Sequence, residues 1–286
     1  MGAMRAERVT GRVSFHGEGP VWWERRRYLR FVDMFAGDVL TLDGDTVVRT
    51  PVGSRVAAAI RPRLGGGAIV AREHDLAISN LDDLSDLAGF ATVDADPGVR
   101  CNDGGCDPDG GFWIGTLGYG FPAGAGTLYS LDAGSLRVRP QVAGLTISNG
   151  LGWSPDAATM YLNDSGTSTT WAFDYDPLEG PTGRREFATG GPGVPDGLCV
   201  DAAGGVWVAR YAGHVVQRHD PDGTVSAVVE LPCSRPTACC FGGDDLGTLY
   251  ITTTREGLAE DAEPEAGSVF AVRPGVTGLP TAGFAG

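Results

Sequence analysis

Acid and amide residues recur at one position of a repeated unit, and their side-chain oxygens could hold a metal ion. Asn102, Asn149 and Asp196 follow one another at intervals of 47 residues. Each lies five residues before a predicted turn, as does Glu18. Converging carboxylates repel one another unless a proton or a cation lies between them. Two acids and one or two amide oxygens would form a hard oxygen site of charge −2, suited to Ca²⁺, Mg²⁺ or Mn²⁺, with Zn²⁺ less well matched without His or Cys.

A plainer interpretation of each position is a turn, because Asn-Gly and Asp-Gly are common turn dipeptides. That interpretation suits any single dipeptide. Four such positions in the same place of a repeat favour a shared site instead. The corresponding positions of the second and sixth units depart from the pattern and fall near Ala58 and Pro236.

A second group that could bind a ligand comprises Arg100, Asn102 and Asp103. The guanidinium of Arg100 could hold hydroxyl groups or a carboxylate of a substrate. The alternative interpretation of Arg100 is an ordinary ion pair. His16, two residues before Glu18, could line the mouth of the same site, but packing is the favoured interpretation.

The elements that must position these side chains are short strands separated by turns. The stretch RCNDGGCDPDGGFWIGT, Arg100 to Thr116, combines a polar cluster, a turn and an aromatic, β-branched strand. Comparable turns begin at Asp107, Ser154 and Asp201, again 47 residues apart. A repeat of this length with about four short strands per unit is typical of a β-propeller. A double-sheet sandwich is the structural alternative, but it predicts no such period.

The sequence therefore predicts an all-β, six-bladed β-propeller with a central metal site, in a single domain over residues 1–286. Equivalent positions of the blades would form a ring about the central channel, so the four oxygen-bearing side chains would meet at one mouth. The glycine that follows each one would let the backbone turn sharply. We expect Glu7 to Phe15 to supply the outer strand of the last blade, and residues 1–6 and 274–286 to be irregular.

Charge and composition exclude several classes of partner. The net charge of −14 disfavours nucleic acid and anionic membrane surfaces, which require clustered Lys and Arg. No run of about 18 apolar residues occurs, and the N-terminal stretch lacks an apolar signal region, so a cytoplasmic protein without a membrane partner is expected. Six cysteines form no CxxC pair and are expected to be reduced thiols, although a Cys101–Cys106 bridge stays open as an alternative.

Four motifs carry a family resemblance, which covers nearly the whole chain: GEGPVWW, RCNDGGCDPDGGFWIGT, SNGLGWSPD and PDGLCVD. They resemble the gluconolactonase/regucalcin (senescence marker protein) family of six-bladed propellers. The resemblance implies one divalent cation held by Glu18, Asn149 and Asp196. It also implies substrate contacts from Arg100 and Asn102, and hydrolysis of a sugar lactone. Regucalcin-like members carry an acid in a loop that here reads Leu117-Gly118-Tyr119-Gly120, without one.

The chemistry expected of such a site is opening of a lactone ester. A bound cation polarises the carbonyl, and Asp196 could both bind the cation and take a proton from the attacking water. Two other functions are compatible with the sequence. One is phosphotriester hydrolysis of the diisopropyl fluorophosphatase type, and the other is a non-enzymatic calcium-binding propeller.

Overall fold

Six sheets surround a central axis in a computed structural model that describes residues 4–286, and all their strand pairs are antiparallel except one, Met4–Arg5 with Val225–Glu230. The expected all-β, six-bladed β-propeller is confirmed. Two short strands, β1 (Met4–Arg5) and β2 (Glu7–Arg8), precede the first blade. Two 3-10 turns, Met34–Ala36 and Ser165–Thr167, follow the second strands of the first and fourth blades.

The blades follow one another in chain order, each beginning with its innermost strand. The first comprises β3 (Gly17–Trp23), β4 (Tyr28–Asp33), β5 (Asp38–Asp43) and β6 (Thr46–Pro51), and the second β7 (Ala57–Pro62), β8 (Ala68–Arg72), β9 (Asp75–Ser79) and β10 (Ala88–Thr92). The third comprises β11 (Val99–Cys106), β12 (Phe112–Gly118), β13 (Gly126–Leu131) and β14 (Val138–Leu145), and the fourth β15 (Ser148–Trp153), β16 (Thr159–Asp164), β17 (Thr169–Asp176) and β18 (Gly180–Thr189). The fifth comprises β19 (Val194–Val200), β20 (Val206–Tyr211), β21 (Val215–His219) and β22 (Val225–Glu230), and the sixth β23 (Pro236–Gly242), β24 (Thr248–Thr253) and β25 (Phe270–Val272), completed by β2.

The 47-residue period corresponds to a repeated packing unit in the third and fifth blades. In the third blade the indole Nε1 of Trp113 donates a hydrogen bond of 2.7 Å to Oδ2 of Asp107. In the fifth blade Trp207 makes the same bond, 2.8 Å long, to Asp201. Both tryptophans are buried, so the turn acid satisfies an indole that the core would otherwise leave unpaired.

The ring is closed by the N-terminal segment. Glu7 and Arg8 pair antiparallel with Ala271 and Phe270 of the sixth blade, as expected for the outer strand of the last blade. The remainder of the expected segment, residues 9–15, forms no strand. The expectation that residues 1–6 are irregular is wrong for Met4–Arg5, which pairs parallel with β22 of the fifth blade. A backbone edge left free by β22 provides the hydrogen-bonding partners for that strand. Residues 1–3 lie outside the described residues.

The C-terminal segment 274–286 contains no named strand, in keeping with the expected irregular terminus, but it is anchored. Phe284 is buried in the core cluster of the first, second and third blades. Its N–H donates to the carbonyl of Pro62, and its carbonyl accepts from the N–H of Leu64, both at 2.8 Å. Residues 279–282 line a cavity of about 450 Å³.

The innermost strand of every blade is interrupted at the same place. In all six blades the pairing between the first and second strands shifts its register there. The shift falls between Ser148 and Leu151 in the fourth blade and between Pro195 and Leu198 in the fifth. Such bulges bend a strand and re-aim its side chains. They occur beside each residue that the sequence nominated as an oxygen ligand.

Two further observations concern the helices and the cysteines. Across residues 4–286 no helix combines the length and the apolar character required to cross a bilayer. All six cysteines are free thiols, which includes Cys101 and Cys106, so the alternative of a bridge between these two is not realised. Burial raises the pKa of the Cys106 thiol to about 12.

Candidate metal and substrate site

Side chains from five blades meet in a cavity of about 740 Å³ at one end of the axis. Five of the six residues nominated from the sequence line it, and each is only 4–6% exposed. They are Glu18, Arg100, Asn102, Asn149 and Asp196. The sixth, Asp103, is absent from this cavity.

The three predicted metal ligands come from the innermost strands of the first, fourth and fifth blades. Nδ2 of Asn149 donates to the carboxylate of Asp196 and, at 3.0 Å, to the hydroxyl of Ser165. Its Oδ1 is buried and accepts no hydrogen bond from residues 4–286. Oε2 of Glu18 accepts from the N–H of Gly19 at 3.0 Å. An unpartnered amide oxygen next to two buried carboxylates is the arrangement that a hard cation would complete.

The electrostatics of the carboxylates lead to the same expectation. Burial raises the pKa of Glu18, and the charges of Asp196 and Asp103 raise it further. Burial and the charge of Asp103 likewise raise the pKa of Asp196. The acids are therefore close enough to repel one another, and a dication between Glu18 and Asp196 would remove that repulsion. The residues present fit a divalent cation.

The proposed donors are carboxylate and amide oxygens, and this donor type favours some metals over others. Nowhere within residues 4–286 do three or more His, Cys, Asp or Glu side chains converge as a metal site. The proposed third ligand is instead the amide of Asn149. A set made only of oxygen suits Ca²⁺, Mg²⁺ or Mn²⁺ better than Zn²⁺.

Arg100 and Asn102 form a connected pair on the wall contributed by the third blade. Nη1 of Arg100 donates to Oδ1 of Asn102 at 2.8 Å and to the carbonyl of Cys101 at 2.9 Å. Nδ2 of Asn102 donates to the carbonyl of Ser148 at 2.9 Å. Arg100 has no carboxylate within salt-bridge distance in the described part of the chain, so the alternative of an ordinary ion pair is not what the structure shows.

Asp103 lies on the other side of the same strand, so the structure does not support its expected contact with substrate in this cavity. It lines the 450 Å³ cavity together with Arg61. Its Oδ1 accepts from the N–H of Gly104 at 2.7 Å. Successive side chains of an extended strand point in opposite directions, and Asn102 already faces the 740 Å³ cavity.

Most of the other lining residues were not identified from the sequence, although a place at the mouth was the alternative interpretation of His16. His16 lines the cavity, where its Nδ1 is 3.2 Å from Oε2 of Glu256 and its Nε2 3.9 Å from Glu18. Glu256 and Arg235 come from loops that adjoin β24 and β23 and carry no repeated pattern. Tyr119 occupies the loop that lacks an acid, and its hydroxyl donates to Glu73 at 2.7 Å.

The glycines beside the ligands have a role that differs from the expected one. Only Gly19 adopts a left-handed conformation, with φ of +53°. At Gly150 an added Cβ would lie 2.3 Å from the backbone nitrogen of Leu198 and 2.7 Å from the carbonyl oxygen of Asp196. At Gly197 it would lie 2.3 Å from Cβ of Ala238. These two glycines therefore allow adjacent innermost strands to approach closely, rather than the chain to turn.

Replacing Gly150 by Ala is expected to destabilise the protein by about 1–3 kcal/mol, the usual cost of overpacking. The new methyl group would press against the strand that carries Asp196, so affinity for the cation should fall as well. Thermal unfolding with and without added cation measures both effects. Gly65→Ala is the matched control, because no atom lies within 4 Å of a Cβ there. Equal stability of the two variants would contradict the close-approach explanation.

The chain is similar to known proteins over nearly all of its length. A model of the SMP-30/Gluconolactonase/LRE-like region matches residues 16–255. The chain is 35% identical over 306 residues to regucalcin of Xenopus laevis, with all of both chains covered. It is 38% identical over 288 residues to a 6-deoxy-6-sulfogluconolactonase of Pseudomonas putida, covering 97% of this chain and 98% of that protein. A solved structure described as a calcium-binding protein, regucalcin, from Agrobacterium tumefaciens superposes with a TM-score of 0.89 at 27% identity and 99% coverage of both chains.

Proposed function

This chain belongs to the SMP-30/gluconolactonase/LRE-like family, and on that premise we propose that it is a lactonase. The proposed reaction is hydrolysis of the ester of a sugar lactone to the sugar acid, with one divalent cation as cofactor. The observation that carries the proposal is the convergence of Glu18, Asn149 and Asp196, with an unpartnered amide oxygen, in one cavity. A relative named as a sulfogluconolactonase supports the substrate class.

The cation would be held by Glu18, Asn149 and Asp196. When bound, it would supply polarisation of the lactone carbonyl and stabilise the negative charge that develops on its oxygen. Ca²⁺, Mg²⁺ and Mn²⁺ rank ahead of Zn²⁺ for the oxygen donor set, and a relative described as calcium-binding supports Ca²⁺ first.

Asp196 is proposed as the acceptor of the proton from the attacking water. The amide Nδ2 of Asn149 bonds to one carboxylate oxygen of Asp196 and so holds that group in place. Bond formation between the water oxygen and the lactone carbonyl carbon releases a proton, and a carboxylate next to that position can take it. The proton then goes to the ring oxygen as the ester C–O bond breaks.

Arg100 and Asn102 are proposed to bind the hydroxyl groups of the sugar. Nε and Nη2 of Arg100 make no hydrogen bond to residues 4–286, so these donors are available on the cavity wall. The ring of Phe35 lies 5.3 Å from the Arg100 guanidinium and covers one face of it. An arginine held in this manner presents its donors without further ordering of its side chain.

A panel of sugar lactones tests the proposed function. Acid release would be followed with chelated enzyme re-loaded with individual divalent ions. We expect turnover of at least one lactone that depends on the added ion. Hydrolysis of an organophosphate in preference to every lactone would indicate a phosphotriesterase. A bound ion without turnover of any ester would indicate a binding protein.

A further inference from the structure

The cavity contains a second arginine that the proposed reaction does not use. Arg235 directly precedes β23 of the sixth blade and lines the 740 Å³ cavity. Its guanidinium carbon lies 5.3 Å from the ring centroid of Tyr211, and its Nη1 donates to the backbone carbonyl of Glu256. Nε and Nη2 make no hydrogen bond to the described residues 4–286. The stacked, tethered side chain therefore presents two free donors.

Arg235 faces the wall that holds Arg100. The innermost strands contact one another in chain order, and β23 contacts β3, which closes the ring. In a ring of six blades the third and the sixth are opposite, so Arg100 and Arg235 approach the cavity from opposite sides. The proposed ligands belong to the first, fourth and fifth blades. A substrate whose ester lies beside the cation-binding residues can therefore contact one guanidinium group on each side of the cavity.

The charges of the cavity favour an anion once the cation is present. Its lining contains three carboxylates, of Glu18, Asp196 and Glu256, and two guanidinium groups. A dication leaves an excess of one positive charge. Glu256 is paired with His16 at 3.2 Å, so its carboxylate is already engaged. Tyr211, on which Arg235 stacks, lines the same cavity as Asp196, so Arg235 belongs to the cavity of the proposed reaction.

We propose that Arg235, stacked on Tyr211, is a specificity-determining residue that binds an anionic group of the substrate, a carboxylate or a sulfonate at the end of the sugar chain remote from the lactone carbonyl. The inference rests on the proposed function and narrows its substrate class. A charge-assisted bond to a guanidinium group is about twice as strong as a bond between neutral groups. We therefore expect a preference of about tenfold or more for a lactone that carries this group.

Two lactones that differ only at the terminal carbon test the inference. D-Glucaro-1,4-lactone carries a carboxylate there, and D-glucono-1,4-lactone carries a hydroxymethyl group. In the cation-loaded enzyme, kcat/KM for the anionic lactone is expected to exceed that for the neutral one about tenfold, mainly through KM. The ratio should fall as ionic strength rises. Arg235→Met should remove most of the preference, and Arg235→Lys should retain part of it.

The matched control is Arg184→Met. Arg184 also stacks on an aromatic ring, that of Trp171 at 3.9 Å, but it is exposed on the fourth blade and outside the cavity. It should leave the ratio unchanged. A wild-type ratio near one, or a folded Arg235→Met variant with the wild-type ratio, would overturn the inference while lactone hydrolysis itself stands.

A binding measurement separates failure of the inference from failure of the proposed function. The thermal shift caused by D-glucarate should exceed that caused by D-gluconate in the wild-type protein, and the difference should disappear in Arg235→Met. This readout requires no turnover. Equal shifts with both acids would overturn the anion site even if no lactone proved to be a substrate.

Discussion

Asp196→Asn is expected to lower kcat/KM for lactone hydrolysis by about 10²–10⁴-fold, the range attributed to a positioned general base. Asn is nearly isosteric and keeps the oxygen that accepts from Asn149, so the fold should persist. It removes the charge that binds the cation and the basicity that takes the proton. Initial rates of acid release, together with the metal content of the purified variant, measure the two losses separately.

The matched control for this prediction is Asp222→Asn. Asp222 lies in an exposed turn of the fifth blade, where it accepts from the N–H of Thr224 at 2.9 Å. That variant should keep wild-type activity. If Asp196→Asn retained both its cation and its full activity, the assignment of Asp196 as the base would be wrong. Retention of the cation with loss of activity would assign the residue to proton transfer alone.

Removal of the cation is expected to abolish turnover and to lower the thermal stability. A ligand present at 1,000 times its Kd stabilises the folded state by about 4 kcal/mol, which for a chain of this size corresponds to about 10 °C in Tm. The physical cause is relief of the repulsion between Glu18 and Asp196. Thermal unfolding and lactone assays before chelation, after chelation and after re-addition of Ca²⁺ measure both effects.

Glu18→Gln provides the comparison for the stability effect. The substitution removes one of the two repelling charges, so the metal-free variant should unfold at or above the Tm of the metal-free wild type. Added Ca²⁺ should raise its Tm much less. A Ca²⁺-induced shift as large as that of the wild type would contradict the role of Glu18 as a ligand.

The same site predicts a pH dependence of cation binding. Burial raises the pKa of both carboxyl groups in the metal-free protein, so protons compete with the cation well above the ordinary range of these acids. Affinity should therefore increase with rising pH until both groups are ionised, and fall as pH decreases through the raised pKa values. Calorimetric titration with Ca²⁺ at a series of pH values measures this trend.

The sequence was sufficient to predict the architecture and the convergence of the residues that we propose as ligands. A constant interval of 47 residues between Asn102, Asn149 and Asp196 indicates equivalent positions of successive blades. Equivalent positions on the innermost strands of a closed ring surround its axis. Each repeat of the sequence pairs its own strands into one sheet, so the period of the sequence corresponds to one blade. Closure of the ring by the N-terminal segment was predicted from its place before the first unit, and Glu7–Arg8 pairs with the sixth blade.

The remaining wall of the site could not be predicted from the sequence, for physical reasons. Arg235, Tyr211 and Glu256 lie at strand ends or in loops, where no periodicity constrains which residue faces inward. The predicted substrate contact of Asp103 did not allow for the alternation of side-chain direction along a strand. Neighbouring residues of a strand face opposite sides, so Asp103 lies in the other cavity. The roles of Gly150 and Gly197 depend on how closely neighbouring strands approach, which is a property of the packed ring.

The pairing of Glu7–Arg8 with Phe270–Ala271 also determines when the site can form during synthesis. Residues 7–8 are made before all six blades, but their partner strand β25 is made after the other five blades, so the ring cannot close before then. The 740 Å³ cavity is lined by residues of the first blade and of the third to sixth blades. A nascent chain with four or five blades therefore contains only part of the site. Pairing across such sequence separations is slow to form, and a partial ring exposes strand edges meanwhile. Activity should therefore appear only after the sixth blade has been released.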